Sequence, residues 1–329
     1  MRVRQLAPLL VAGSLLAAAC GGSGNGSDDD GDDAADGNGE GSAELNAAVA
    51  SYDLAAQSDE RFMVGLIAND NRLLAFGSVT LSFGFAGTPD EPIEQVEVGS
   101  PVEATYLPIA GQDLDPDQPG PRLVSPADAR GVYAVPAVRF DRAGLWAVQA
   151  EGSAEDVGDF QVQTVVEVKA EHQVVAVGQP GPPTQNPLPG ESELPATAID
   201  SRASDGTVPD PDLHSTTVAA ALDAGRPVVV LVSTPVYCVS RFCGPITDAV
   251  ANMAQEFGDR VDFVHLEVWQ DFEDQIVNEA AQEWITPADG SEAQEPWVFL
   301  VDSNGMVVER FDNVVSDAEL RQAVEALAV

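Results

Sequence analysis

The spacing of apolar residues changes once along this chain, and that change most constrains the fold. From about residue 43 to residue 177, short apolar runs are separated by turn residues, and several of them alternate apolar and polar residues at a period of two, typical of strands with one buried face. From about residue 212, continuous apolar runs alternate with segments whose apolar residues recur every three or four positions, typical of buried strands and amphipathic helices. The sequence therefore predicts a multidomain protein in which an all-β domain precedes an α/β domain.

The first domain, residues 43–177, is predicted to be a β-sandwich, because several short strands are separated by turns rich in proline, glycine and aspartate. Its candidate strands are residues 62–67, 73–76, 79–83, 102–106, 131–135, 144–150 and 160–168. Within it, a tight turn at Ala143-Gly144 leads into a strand that carries Trp146. This stretch, residues 138–148, resembles a recurrent feature of immunoglobulin-like envelope domains, and the resemblance implies an immunoglobulin-like sandwich.

Residues 178–211 are rich in proline and glycine, which disfavour a helix or a central strand, and we interpret them as an extended linker. Residues 212–329 predict alternating helices and strands. Ser215 or Thr216 is expected to cap a short helix that runs through Ala224, and a capping box at Ser316 opens the last helix. The elements between them are expected as a strand at 227–233, a helix at 246–257, a strand at 261–268, a helix at 272–284 and a hairpin formed by 297–301 and 306–311.

Two cysteines, Cys238 and Cys243, follow the first buried strand and precede a helix, and Pro296 directly precedes the strand at 297–301. This order of elements resembles the thioredoxin fold over residues 212–329. The resemblance implies that Cys238 and Cys243 exchange thiols and disulfides with a partner, and that Pro296 occupies the family's cis-proline position. The chain departs from the family in its spacing, because thioredoxins carry Cys-x-x-Cys and four residues separate the cysteines here.

Two registers against the thioredoxin motif are open. Tyr237-Cys238 matches the family's Trp-Cys pair, which would make Cys238 the attacking thiol. Alternatively, Cys243-Gly244-Pro245 matches its Cys-Gly-Pro sequence. Helix physics favours Cys243, because Pro245 is typical of a first helical turn and would set Cys243 at or just before the N-cap. There, free backbone N–H groups and the helix dipole would stabilise a thiolate.

The N-terminus has the pattern of an export signal. Basic residues Arg2 and Arg4 precede an apolar run at residues 6–19 that is too short to span a membrane and ends in small residues before Cys20. This junction resembles the lipobox of bacterial lipoproteins, which implies a signal peptide at residues 1–20, acylation of Cys20 and a membrane-anchored, extracytoplasmic protein. Residues 21–42, rich in glycine and aspartate, are predicted to be a disordered acidic linker.

The charge and the cysteine count limit the possible partners. The net charge of −39 argues against nucleic acid and against electrostatic adhesion to anionic lipid. Only three cysteines are present, so with Cys20 lipidated, Cys238 and Cys243 are expected to form a disulfide outside the cytoplasm. The expected partners are the membrane, through Cys20, and thiol-containing envelope proteins.

The leading hypothesis is a lipid-anchored, thioredoxin-like protein that exchanges thiols and disulfides and carries no cofactor or metal. Two alternatives stay open. One is a non-catalytic binding lipoprotein in which the disulfide is structural. The other is a copper chaperone that would use the two cysteines and a histidine such as His265, since thiols and imidazole suit copper.

Overall fold

The computed structural model describes residues 44–112, 114 and 118–329. The expected signal peptide at 1–20, with Cys20, and the expected acidic linker at 21–42 lie outside the described residues. Within the described part, none of the helices has both the length and the apolar character needed to cross a bilayer.

The N-terminal part is all β. Its strands are β1 (Leu45–Val49), β2 (Asp59–Ala68), β3 (Leu73–Ala75), β4 (Ser78–Phe85), β5 (Val102–Pro108), β6 (Arg122–Val124), β7 (Gly131–Arg139), β8 (Gly144–Ala154) and β9 (Gly158–Val168). Seven of these nine strands coincide with predicted ones. The sequence did not predict β1, whose centre is polar or alanine, or β6, which is only three residues long.

All nine strands join in one antiparallel sheet, in the order β6-β3-β2-β7-β5-β4-β8-β9, with β1 also paired to β2. A sandwich of two separate sheets was expected. The strands instead form one hydrogen-bonded sheet. The ten-residue β2 is longer than its partners and pairs with β1, β3 and β7 at different points along its length, which joins them. The sheet closes around its core by bringing β1 against β9. Phe62 packs edge-on against Phe83 inside it, at 4.9 Å between ring centroids.

The C-terminal part is mixed α/β, as predicted. Its elements are α1 (Val218–Asp223), β10 (Val228–Ser233), α2 (Cys243–Phe257), β11 (Asp262–Glu267), β12 (Trp269–Asp271), β13 (Ile276–Val277), α3 (Glu279–Ile285), β14 (Trp297–Val301), β15 (Val307–Asp312) and α4 (Asp317–Leu327). The main sheet has the order β11-β10-β14-β15. β10 runs parallel to β11 and antiparallel to β14, and β14 and β15 form the predicted hairpin. The predicted capping box at Ser316 is confirmed.

Two local predictions were wrong. The helix expected at 272–284 begins only at Glu279, since β12 and β13 form a small hairpin before it. Gln275 has a left-handed φ of 56°, which a helix cannot accommodate, and Ile276 is exposed. Helix α1 is capped by Thr217, whose side chain accepts a hydrogen bond from the N–H of Ala220, rather than by either residue before it.

The segment 178–211 packs against the C-terminal sheet over much of its length. Gly181 donates a backbone hydrogen bond of 2.9 Å to Gly305, and Trp284 donates its indole N–H to Thr184. A short 3-10 helix, Ala196–Ala198, leads to Asp200, which is fully buried. The segment therefore contributes residues to the C-terminal core and is more than a linker.

The two β-rich parts belong to one compact body. Arg61 of β2 pairs with Glu319 of α4 at 3.0 Å, and Arg310 of β15 pairs with Asp53 at 2.9 Å. Beneath these pairs lies a shared apolar cluster, which includes Met63, Ile109 and Val132 from the first part and Val314, Val315 and Leu320 from the second. Burial of this surface from water stabilises the association of the two parts.

Candidate functional site: the cysteine loop

The two cysteines lie at the C-terminal end of β10. Cys238 is in the loop after this strand, and Cys243 is the first residue of α2. They form a disulfide, as predicted, with 6.0 Å between their Cα atoms, which lies within the usual range for such bonds. The continuous burial of β10 and the apolar face of α2 hold the two ends of this loop in place.

The two sulfurs have different surroundings. Cys243 is fully buried, whereas Cys238 is half-buried. The backbone N–H of Cys243 donates to the Sγ of Cys238 at 3.4 Å, and the Ser240 hydroxyl lies 3.2 Å from the same sulfur. The expected position of Cys243, at or just before the N-cap, is wrong, because Phe242 is the N-cap and Cys243 is the first residue of the helix. Because α2 begins at Cys243 itself, its first free N–H points back to the loop and to Cys238.

A carboxylate faces the disulfide. One Glu295 oxygen and both sulfurs lie within 4.8 Å of one another. Burial raises the pKa of Glu295, and the negative charges of Glu267 and Glu292 raise it further. The Glu295–Pro296 peptide bond is cis, as the thioredoxin resemblance implied, and Pro296 is buried directly before β14. A neighbouring carboxyl of this kind can transfer a proton to or from a thiol.

The N-terminal part also reaches this site. Tyr52, in the connection between β1 and β2, donates its hydroxyl proton to the backbone carbonyl of Glu295 at 3.0 Å. Burial raises the pKa of the Tyr52 phenol, and the carboxylates of Asp312 and Glu295 add to the shift, so it acts as a donor at neutral pH. The aromatic ring also lies 6.0 Å from that of Trp297. Tyr52 thus fixes the backbone that carries the carboxylate.

Apolar side chains surround the more accessible cysteine. The Tyr237 ring stacks on Phe272, with 4.0 Å between centroids and 3° between planes. Val236 is 54% exposed and Val239 is 93% exposed on the same loop. Phe272 itself is partly exposed at the edge of this group. Exposed apolar side chains beside a disulfide are suited to contact with another protein.

Reasoning from sequence found Cys238, Cys243 and Pro296 but missed Glu295 and Tyr52. The position of Glu295 directly before Pro296 could have drawn attention to it. Nothing local signals Tyr52, because it lies 243 residues from the carbonyl that it binds.

The ligand set considered for a copper chaperone is not assembled among the described residues. The two sulfurs group with Glu295, whereas His265 groups with Asp200 and His214. The Nε2 atom of His265 instead contacts Ser233, at 3.0 Å from its hydroxyl.

Comparison with known proteins gives little guidance. Neither a protein-family model nor a curated protein sequence matches this chain. One matching solved structure is the crystal structure of BslA, a bacterial hydrophobin, with 15% identity and a TM-score of 0.22. The match covers 39% of this chain and 94% of that one. A similarity at this level carries no argument about fold or function.

Proposed function

We propose that this chain is an extracytoplasmic thiol–disulfide exchange protein in which Cys238 attacks and Cys243 resolves. The observation that carries the proposal is the asymmetry of the two sulfurs. The half-buried Cys238 accepts the first free N–H of α2, and hydrogen bonds to sulfur stabilise a thiolate there. Cys243, which is fully buried, is suited to intramolecular attack.

The exchange proceeds in two balanced steps when the reduced protein meets a disulfide. The Cys238 thiolate attacks one partner sulfur, forms a mixed disulfide and releases the other partner sulfur as a thiolate. Cys243 then loses its proton and attacks the Cys238 sulfur, which restores the internal disulfide and releases the second partner thiolate. Two electrons pass to the partner. With a dithiol partner and the oxidised protein, the same steps run in reverse.

In this mechanism Glu295 accepts a thiol proton and later returns it. Its carboxylate lies near both sulfurs, and its raised pKa brings its proton affinity closer to that of a thiol. The apolar side chains of Val236, Val239 and Phe272 provide a docking surface for a protein partner.

Several features support a thioredoxin-like C-terminal domain. They are the order of strands and helices, the cysteine loop at the start of α2, and Pro296 at the start of β14. We further propose that the N-terminal sheet is an immunoglobulin-like envelope domain, on the basis of the strand that follows Ala143-Gly144.

Export and anchoring at Cys20 complete the proposal and rest on the sequence. Metabolic labelling with palmitate tests them. We expect the full chain to incorporate label in a bacterial lipoprotein-processing host, and the Cys20→Ala variant to incorporate none. Equal labelling of the two proteins would contradict acylation at Cys20.

Trapping of mixed disulfides tests the exchange reaction. Two matched full-length variants, Cys243→Ser and Cys238→Ser, are expressed and quenched with acid before alkylation. We expect the Cys243→Ser variant to accumulate mixed disulfides with envelope proteins, because Cys238 can attack but cannot be resolved. The Cys238→Ser variant should accumulate few. The reverse pattern would exchange the roles of the cysteines. The absence of adducts from both variants would leave a structural disulfide as the better account.

A further inference from the structure

A second group of chemically active side chains lies inside the C-terminal part, apart from the cysteine loop. Asp200 follows the 3-10 helix at Ala196–Ala198, His214 ends the 3-10 helix at Pro211–Leu213, and His265 lies in the middle of β11. Their relative exposures are 0%, 5% and 2%, so all three side chains are buried. Two successive short 3-10 helices and the strand β11 thus bring two imidazoles and a carboxylate together.

The contacts of Asp200 with His214 and with His265 do not have the geometry of hydrogen bonds. The Oδ2 atom of Asp200 lies 3.4 Å from Nε2 of His214 and 3.5 Å from Nδ1 of His265. Both nitrogens are buried and have no hydrogen-bond partner among the described residues. Zinc–nitrogen and zinc–oxygen bonds are about 2.0–2.1 Å, so the ligand atoms of a tetrahedral site lie about 3.3–3.4 Å apart. The observed separations match that spacing.

The hydrogen bonds of His265 set its tautomer. Its Nε2 atom lies 3.1 Å from the backbone carbonyl oxygen of Ser233, and a carbonyl can only accept, so Nε2 carries the proton. In the neutral ring, the lone pair on Nδ1 therefore faces the carboxylate of Asp200. Two lone pairs at this distance repel each other unless a cation lies between them. Metal-binding histidines are typically held in this way, by a donated hydrogen bond from the other ring nitrogen.

Arg202 holds the carboxylate of Asp200 in place from the solvent side. Arg202 donates to Asp200 at 2.7 Å, and it also pairs with Asp210 at 2.8 Å and with Asp248 at 3.1 Å. The side chains of Asp210 and Asp248 reach solvent, so Asp200 is the one buried carboxylate of the three. Metal-ligating carboxylates are typically hydrogen-bonded in turn, as Asp200 is here.

We propose that Asp200, His214 and His265 bind one zinc ion, with water as the fourth ligand. Two imidazole nitrogens and one carboxylate oxygen are ligands that Zn²⁺ takes in proteins, whereas Mg²⁺ and Ca²⁺ take oxygen ligands. The bound ion joins the segment at 178–211 to β11, an edge strand of the C-terminal sheet. Neither cysteine is a ligand, so the zinc site can be tested and refuted independently of the thiol–disulfide proposal.

Zinc titration of the untagged full-length protein tests the site. The protein is stripped with a chelator, kept oxidised so that Cys238 and Cys243 cannot bind metal, and titrated with Zn²⁺ by calorimetry and elemental analysis. We expect one bound equivalent and a raised melting temperature. His214→Gln should abolish both effects. His172→Gln, the same substitution outside the group, should preserve them, as should Cys238→Ser combined with Cys243→Ser.

Several results would overturn the proposal. They are the absence of zinc binding by the wild-type protein, equal binding by His214→Gln, or binding of Cu²⁺ without Zn²⁺. If His214→Gln does not fold, Co²⁺ substitution of the wild-type protein decides the question. Visible bands of tetrahedral Co²⁺ without thiolate charge-transfer bands in the near ultraviolet would support the site. Thiolate bands would assign the metal to the cysteines and refute it.

Discussion

Removal of the charge on Glu295 should change the acidity of the Cys238 thiol. The carboxylate lies within 4.8 Å of that sulfur and opposes the formation of a second negative charge. At this distance the Coulomb energy is about 0.9 kcal/mol in a water-like dielectric and about 3.5 kcal/mol at an effective dielectric of about 20. One pKa unit corresponds to about 1.36 kcal/mol. Glu295→Gln should therefore lower the pKa of Cys238 by roughly 0.6–2.5 units.

The assay is the pH dependence of iodoacetamide alkylation in a Cys20→Ala, Cys243→Ser background, where Cys238 is the sole thiol. The two proteins should differ most above the raised pKa of Glu295, where the wild-type carboxyl is charged. The matched control is Glu292→Gln. Glu292 is an exposed neighbour that does not belong to the group formed by Glu295 and the two sulfurs, so this substitution should shift the pKa of Cys238 less. An unchanged or higher pKa of Cys238 in Glu295→Gln would refute the electrostatic reasoning.

Three further results are expected. Burial raises the pKa of Glu295 above its usual 4.5, so its contribution to stability is present below pH 4.5 and is lost as the pH rises through the raised pKa. In denaturant unfolding, the stability of Glu295→Gln relative to the wild-type protein should therefore increase as the pH rises, and a constant difference would contradict this. The Cys238–Cys243 disulfide closes a short loop, since the two cysteines are only five residues apart. Its reduction should therefore lower the free energy of unfolding by about 2 kcal/mol and leave the protein folded by circular dichroism, and global unfolding on reduction would contradict this. A double-mutant cycle of Tyr237→Ala and Phe272→Ala should give a coupling of about 0.5–1.5 kcal/mol in urea unfolding, and additive effects would deny the stacking.

Sequence patterns predicted the elements whose burial is periodic. In the N-terminal part, β4 alternates apolar and polar residues and was found, and β2 and β8 were found from their short apolar runs. In the C-terminal part, β10 is apolar at almost every position and was also found. The helix expected at 272–284 failed because its spacing mixed residues from two structures. Phe272 and Ile276 lie on a small, partly exposed hairpin, whereas Ala280 and Trp284 lie on a buried helix.

The residues of the candidate site also divide into those that a local sequence pattern identifies and those that it does not. Cys238, Cys243 and Pro296 occupy positions defined by neighbouring elements, so a local motif could identify them. Tyr52 is brought to Glu295 by packing between the two parts of the molecule, which no local pattern encodes.

Asp200 illustrates the same limit within the C-terminal part. It lies in a segment whose proline and glycine content predicts an extended linker, yet its carboxylate is buried beside His214 and His265. The apolar pair Ala198-Ile199 directly before it was the available sign that this stretch enters the core.

The reduction potential of the Cys238–Cys243 pair tests the central claim most directly. It is measured by equilibrating the full-length protein with glutathione or dithiothreitol buffers and quantifying the two forms after alkylation. Structural disulfides in secreted proteins have potentials below about −300 mV, and working ones are more oxidising. We predict a potential above about −300 mV with both cysteines titrating as one two-electron couple. A value well below about −300 mV would contradict thiol–disulfide exchange and identify the bond as structural.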